Sequence, residues 1–369
     1  MFIINLVMRL LSYFVFTAAC LLAILSACES KETDSQVFRL SDDRFSQWQE
    51  LIDVKKVTQL RETDSCLMSY AAACVVTSDN IIYEDYKSKR IHVFSTAGEF
   101  LRTVGDIGRA ASEYVNIRDL VVSADGHQLS VLDDRGIVSY DVHTGKFVSR
   151  TSFSSSEFME YERFAPIGSD RYLCFTDSRN EHSIVLDAPD GQKGLRKGRR
   201  FHFVTHPFYR YDCSYRVLSD YGDFYIDAYE DGRLKKLYKI DLGGEALPED
   251  VLPQEYEEFS IVNSSSDYYK CITNACETKD WLYLELVGPN QEYYSAFINK
   301  NDGKYVLGKV YPSLGISIIG TRDDMFCGII YPEFVQPDML AKKILNEANI
   351  QPENVSPVII YFTLNEILS

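Results

Sequence analysis

The 369-residue chain is short of the features by which most enzymes and nucleic-acid binders declare themselves. Lys and Arg number 38 against 54 Asp and Glu, a formal net charge of −16. Binding to a phosphate backbone is driven by basic side chains, so nucleic acid is excluded as a partner. There is no GxSxG nucleophile elbow and no HExxH metal motif. Histidine is scarce, at 6 residues. His202 and His206 stand four apart, but "FHFVTHPFYR" is aromatic, strand-like and closed by Pro207, which argues against a helical metal pair. Cys271 and Cys276 in "CITNAC" lack zinc-site spacing. "NKNDGK", Asn299 to Lys304, lacks the closing acidic residue of a calcium loop and reads as a hairpin turn. No cofactor and no metal is expected.

The N-terminus carries the most specific positive signal. Leu10 to Leu25, "LLSYFVFTAACLLAIL", is an uncharged run of 16 residues behind Arg9. It is shorter than the roughly 20 residues that a spanning helix needs, and it has the layout of a secretory signal. "MRLLSYF" sets the basic residue directly against the apolar core, so the natural start is expected at Met8. The run ends in "LSAC", Leu25 to Cys28, which resembles the lipobox of bacterial lipoproteins. That resemblance implies a signal peptide over 1–27, lipidation at Cys28, and a place in the cell envelope at the outer membrane. It leaves open whether the chain faces the periplasm or the cell surface. Residues 28–52, beginning "ESKETDSQ" after the cysteine, read as a polar tether. Lys31, Glu32 and Asp34 also resemble a surface-export signal, interrupted by Thr33.

Removing Cys20 in the signal and Cys28 leaves seven cysteines, an odd number that cannot all pair. Cys74, Cys174 and Cys327 sit in apolar runs, where a cysteine serves as a small buried hydrophobe.

Composition beyond the leader favours strands, with 25 Tyr and 21 Phe. Six polar turns, each followed by an apolar strand, recur as "TSDNIIYED", "SADGHQLSVLD", "GSDRYLCFTD", "SDYGDFYID", "ETKDWLYLEL" and "TRDDMFCGII". Their equivalent residues Ile81, Leu129, Tyr172, Phe224, Leu282 and Phe326 are spaced by 48, 43, 52, 58 and 44 residues, a mean of 49. That period fits one four-stranded blade. A second element, a strand running into a glycine turn, recurs around Gly98, Gly145, Gly191, Gly243 and Gly303, glycines expected at positive φ.

The sixth unit ends with "PVIIYFTL" and lacks an outer strand, which would leave an open edge. The unassigned run "DVKKVTQL", Asp53 to Leu60, is the natural donor. The expected fold is therefore all-β: a six-bladed β-propeller of four-stranded antiparallel blades over 53–369, the N-terminal strand closing the last blade.

"GDIGRAASEY", after the fourth strand of the first unit, is no phosphate loop, because the Lys, the Ser or Thr and the following helix are missing. It resembles, at Glu113 and Tyr114, a connector of six-bladed bacterial lipoprotein propellers similar to NHL repeats. The resemblance covers about Asp53 to Leu364 and includes a helical insert in the last blade, here "PDMLAKKILNEA", Pro337 to Ala348. It implies a fold more than a function.

Chemistry-bearing candidates are few. Asp85, Asp133, Asp177 and Asp227 recur near the ends of second strands, where a carboxylate can hold a turn. "GLRKGRRF", Gly194 to Phe201, reads as a solvated outer strand or as an anion-binding patch. Two functions follow. One is a non-catalytic module, attached to the membrane by its lipid, that binds a glycan, peptide or envelope protein at an axial face. The other is a hydrolase or lyase using carboxylates, with calcium as an option, at the central tunnel. Three or more acidic or His side chains from different blades meeting at one tunnel mouth would favour the second.

Overall fold

The structure, a computed structural model, describes residues 35–41, 48–153, 161–176, 180–199, 201, 206–351 and 356–366. The chain divides into two compact units, residues 1–36 and 37–369, and the second holds the ring. Cys28 and the rest of 1–34 lie outside the described residues. Six antiparallel sheets make up the propeller, four strands to a blade.

Blade 1 is Ala71–Val76, Asn80–Asp85, Ile91–Ser95 and Phe100–Val104. Blade 2 is Asp119–Val122, Gln128–Asp133, Gly136–Asp141 and Phe147–Thr151, and blade 3 is Tyr161–Gly168, Arg171–Thr176, His182–Ala188 and Gly191–Lys197. Blade 4 is Phe208–Tyr211, Ser214–Leu218, Tyr225–Glu230 and Arg233–Asp241, with Gln36–Arg39 added outside as a fifth strand. Blade 5 is Cys271–Glu277, Trp281–Val287, Tyr293–Asn299 and Tyr305–Lys309. Blade 6 is Ser317–Arg322, Met325–Ile330 and Val358–Leu364, closed by Ile52–Gln59.

Burial follows position within the blade. The second strand Asn80–Asp85 is buried at every residue, whereas the outer strand Phe147–Thr151 has no buried residue. A strand covered on both faces reads as a continuous apolar run, which is why second strands were the visible repeat. Apolar side chains meet between blades rather than in one central core. Leu60, Ile81, Tyr83 and Phe94 pack on Ile329, Ile359 and Tyr361 where blade 6 meets blade 1. The insert Leu340–Glu347 buries Leu340, Ala341, Ile344 and Leu345 against blades 5 and 6 together with Trp48.

Closure occurs as the missing outer strand required. Ile52–Gln59 runs antiparallel to Val358–Leu364 along its whole length, from Ile52 opposite Leu364 to Gln59 opposite Val358. The first blade's hairpin grips the same strand: Gly98 has φ +86°, and a Cβ there would lie 2.0 Å from the Gln59 carbonyl oxygen. Within the stretch read as tether, Gln36–Arg39 is a strand and Trp48–Leu51 a helical turn.

One repeat position is corrected. Phe224 directly precedes the third strand of blade 4, whose second strand is Ser214–Leu218. The hairpin before it turns on Asp212, at φ +54°, among the aromatic residues of "FYRYDCSYRVL", which reads as a single run, while the polar turn "SDYG" one strand later matches the repeat. The same shift places "LYKIDLGGEA" in the fourth strand and Asp227 in the third. A helix in the connector to blade 5, Tyr256–Ser265, is unannounced by the repeat. Glu258 starts it by accepting the N–H groups of Gln254 (2.8 Å) and Glu255 (3.2 Å).

Candidate functional site

The first strands of the six blades contact one another in turn around a closed ring. They enclose a cavity of about 600 Å³ on the axis, within the range of small-ligand sites. Each inner strand has a ladder partner on one side only, and its other edge is partly taken by neighbouring blades, as where the Thr273 carbonyl receives the His206 N–H and the Ile318 carbonyl receives the Asn274 amide. The wall is chemically divided. Blades 1 and 6 contribute Ala71, Ala72, Ala73, Ile318 and Ile319, while blades 2 to 5 contribute Asp119, Arg163, His206, Arg210 and Glu285.

The polar groups are positioned by backbone. Asp119 opens the inner strand of blade 2, and its two oxygens accept the N–H groups of Leu120 (3.0 Å) and Phe164 (2.9 Å), tying blade 2 to blade 3. Enclosure raises its carboxyl to about 6, against the pull of Arg163 and these two N–H donors. Arg163 donates to the carbonyls of Arg118 and Glu162, both at 2.7 Å. His206 donates its backbone N–H to the Thr273 carbonyl (3.1 Å), linking blade 4 to blade 5. Its ring meets water only inside the cavity, and enclosure together with the Arg163 charge lowers its pKa to about 4, so the imidazole is neutral. Glu285 accepts from the Thr273 hydroxyl (2.9 Å), and burial raises its pKa.

Tyrosine is concentrated here. Tyr70, Tyr209, Tyr215, Tyr293 and Tyr331 line the cavity. Tyr331 accepts the Ala71 N–H (2.9 Å) across the junction of blades 6 and 1. At the same rim Tyr70 stacks on Tyr86, with centroids 4.8 Å apart and planes at 22°, and the Lys89 ammonium lies 4.2 Å from the Tyr86 centroid. Such a platform offers a flat apolar face with polar edges.

Acidic and His side chains from different blades thus border one cavity without converging. No group of three or more His, Cys, Asp or Glu able to hold a metal occurs among the described residues. Cys74, Cys276 and Cys327 line the cavity too, but burial pushes the Cys327 thiol up to about 12 and the other two well above their ordinary value. A thiol so shifted is a poor nucleophile at neutral pH.

The residues singled out from sequence fall mostly elsewhere. His202 and Asp177 lie outside the described residues, and His206 lines the cavity. Asp85 holds a turn, accepting from the Ser88 N–H (2.6 Å) and the Ser69 hydroxyl (2.7 Å). Asp133 accepts from the Arg135 N–H (2.8 Å) and pairs with Arg150 (2.9 Å). Asp227 receives Arg196 at 2.6 Å from the neighbouring blade. The basic run is thereby corrected as an anion patch: Arg196 and Arg199 are spent on Asp227 and Asp223 of blade 4. "NKNDGK" is the hairpin turn between the third and fourth strands of blade 5. "GDIGRAASEY" bridges blades 1 and 2 as two short parallel strands, Asp106–Ile107 and Glu113–Tyr114. All seven cysteines of the described residues are free.

Sequence reasoning missed the cavity residues, although a signal existed. Ala71, Asp119, Arg163, Asn274 and Ser317 each stand eight to ten residues ahead of the second-strand marker of their blade, as in 129 − 119 = 10 and 282 − 274 = 8.

The family model described as "Domain of unknown function (DUF4934)" matches residues 39–357. No curated protein matches the chain in sequence. Among solved structures, one described as a "Putative exported protein" from Bacteroides fragilis is similar at 14% identity and a TM-score of 0.72, covering 89% of this chain and 99% of that one. A member of the DUF4221 family from Bacteroides vulgatus is similar at 9% identity and a TM-score of 0.57, covering 86% and 98%. At these identities the likeness is one of fold.

Proposed function

Since the chain belongs to the DUF4934 family, whose description assigns no activity, we propose its function from its geometry: it is a binding module of the cell envelope that holds a ligand in the axial cavity without turning it over. The observation that carries this reading is the cavity itself, about 600 Å³ bordered by all six blades, lined by apolar side chains with charged groups set among them on blades 2 to 5. Rigid tyrosines supply contact area at low entropic cost, and the polar groups supply hydrogen bonds. A segment of a glycan or a peptide has the matching mixture of flat apolar faces and polar groups.

The hydrolase or lyase reading has less support. Both oxygens of Asp119 are already engaged by backbone N–H groups, and Glu285 is engaged by Thr273. A carboxylate held this way is a scaffold element before it is an acid or a base.

The envelope location rests on the leader, with Cys28 as the lipid-bearing residue and the outer membrane as the destination. The description of the Bacteroides fragilis protein points the same way. Lipid attachment of that kind anchors a chain stably when several acyl groups are present.

Calorimetry of the purified protein against a panel of soluble glycans and peptides tests the axial reading. Ala72 is exposed within the cavity, and Ala72→Trp would fill the space beside it. The expected result is loss of binding with unchanged melting, and Ala72→Leu serves if the larger ring disturbs folding. Wild-type affinity in a folded, plugged variant would reject the axial site.

A further inference from the structure

We infer that the ligand of the axial cavity carries a carboxylate group, received by the guanidinium of Arg210, an inference that rests on the axial reading above. Arg210 lies on the inner strand of blade 4, opposite Tyr215, and is exposed within the cavity. In a chain with 54 acidic residues, three other arginines of blades 3 and 4 are each held by a carboxylate. Arg196 pairs with Asp227 at 2.6 Å, Arg199 with Asp223 at 3.0 Å and Arg216 with Glu277 at 3.1 Å. Arg210 has no such carboxylate partner among the described residues.

The charges around it sharpen the point. Arg163, the second cation of the wall, is balanced by Asp119. His206 is neutral, and Glu285 is engaged by Thr273 in surroundings that disfavour its charged form. One guanidinium therefore remains uncompensated in a space where water is limited, and there an opposite charge is attracted more strongly than in bulk solvent. A planar carboxylate matches the donor fork of a guanidinium in a bidentate pair. A phosphate dianion fits less well, because a single guanidinium offers one positive charge against its two negative ones. Opposite Arg210, the alanines of blade 1 and Ile318 and Ile319 of blade 6 would receive an apolar face. The chemistry is thus that of an acidic sugar or of a peptide C-terminus, with one carboxylate and a non-polar side.

Two matched pairs of probes separate these sources: galacturonate against galactose, and dialanine against its C-terminal amide. Titration calorimetry of the full chain should show the acid of at least one pair binding about tenfold tighter than its neutral counterpart. Arg210→Ala should erase that difference without weakening the neutral compound, and Arg210→Lys should restore part of it. Equal affinities within both pairs would overturn the inference, as would a hexose 6-phosphate binding more tightly than the hexuronate, or no binding of any probe at millimolar concentration. Equal affinities that Ala72→Trp still abolishes would leave the axial reading standing and remove only the carboxylate. An acid preference untouched by Ala72→Trp would remove both.

Discussion

Glu84, on the second strand of blade 1 and 5% exposed, is a carboxylate whose chemistry the fold displaces strongly. Burial is the main cause of a pKa raised to about 7. Lys89 and Arg163 hold it down, while Asp119 and Asp85 push it up. The folded protein therefore keeps a proton that the unfolded chain releases in the ordinary carboxylate range. Between that range and about pH 7 the unfolded state binds fewer protons, so stability falls as pH rises through the window and levels off above it. The loss is on the order of 3 kcal/mol. Glu84→Gln should remove it, and denaturant melts on either side of the window, compared between wild type and variant, measure the difference. A variant with the wild-type pH slope would show that Glu84 is not the group responsible. Nothing in "IIYEDY" announces this behaviour, because its main cause is burial by the folded ring and two of the charges that modify it, Asp119 and Arg163, come from two other blades. Glu277 too has partners distant in sequence, since Arg216 (3.1 Å), Tyr238 (2.9 Å) and Lys300 (2.8 Å) bring two blades together around one buried carboxylate.

At the scale of elements, the closing strand was readable because two gaps in the pattern matched. A last unit one strand short and an unassigned early strand had a single economical solution, and Ile52–Gln59 fills it. Blade 4 was misread for a local reason, since its first turn, on Asp212, lies among aromatic residues while the polar turn "SDYG" one strand later matches the repeat. The fifth strand Gln36–Arg39 carries no repeat signal, being an addition outside the four-strand unit. Deleting residues up to Leu60 should expose the edge of Val358–Leu364 and strip the Gly98 hairpin of its contact. An open sheet edge pairs with other chains. The expected product associates in size-exclusion chromatography and melts well below the intact protein. A truncated chain that stays monomeric with unchanged melting would mean that closure contributes little to the ring.

For the whole molecule, the leader reading falls on residues outside those described, whereas the ring was legible because it is written in a fixed period. The cavity was not, because each of blades 2 to 5 adds its polar side chains at points far apart in sequence. The separation of the two parts has a testable consequence. No helix among the described residues is long and apolar enough to cross a membrane, and the compact unit that contains all six blades begins at Val37, after Cys28. Attachment, if it runs through a lipid on Cys28, should then be removable without disturbing the fold. Each buried methylene of an acyl chain contributes about 0.8 kcal/mol to membrane binding, so losing the lipid removes the dominant attraction. The net charge of −16 supplies no compensating pull toward an anionic membrane surface. Cys28→Ser is therefore expected to move the protein from the membrane fraction to the soluble fraction while its melting profile and its axial ligand affinity stay as in wild type. Full membrane retention of the Cys28→Ser variant would reject the lipid anchor, and release accompanied by unfolding would show that the leader and the ring are not independent.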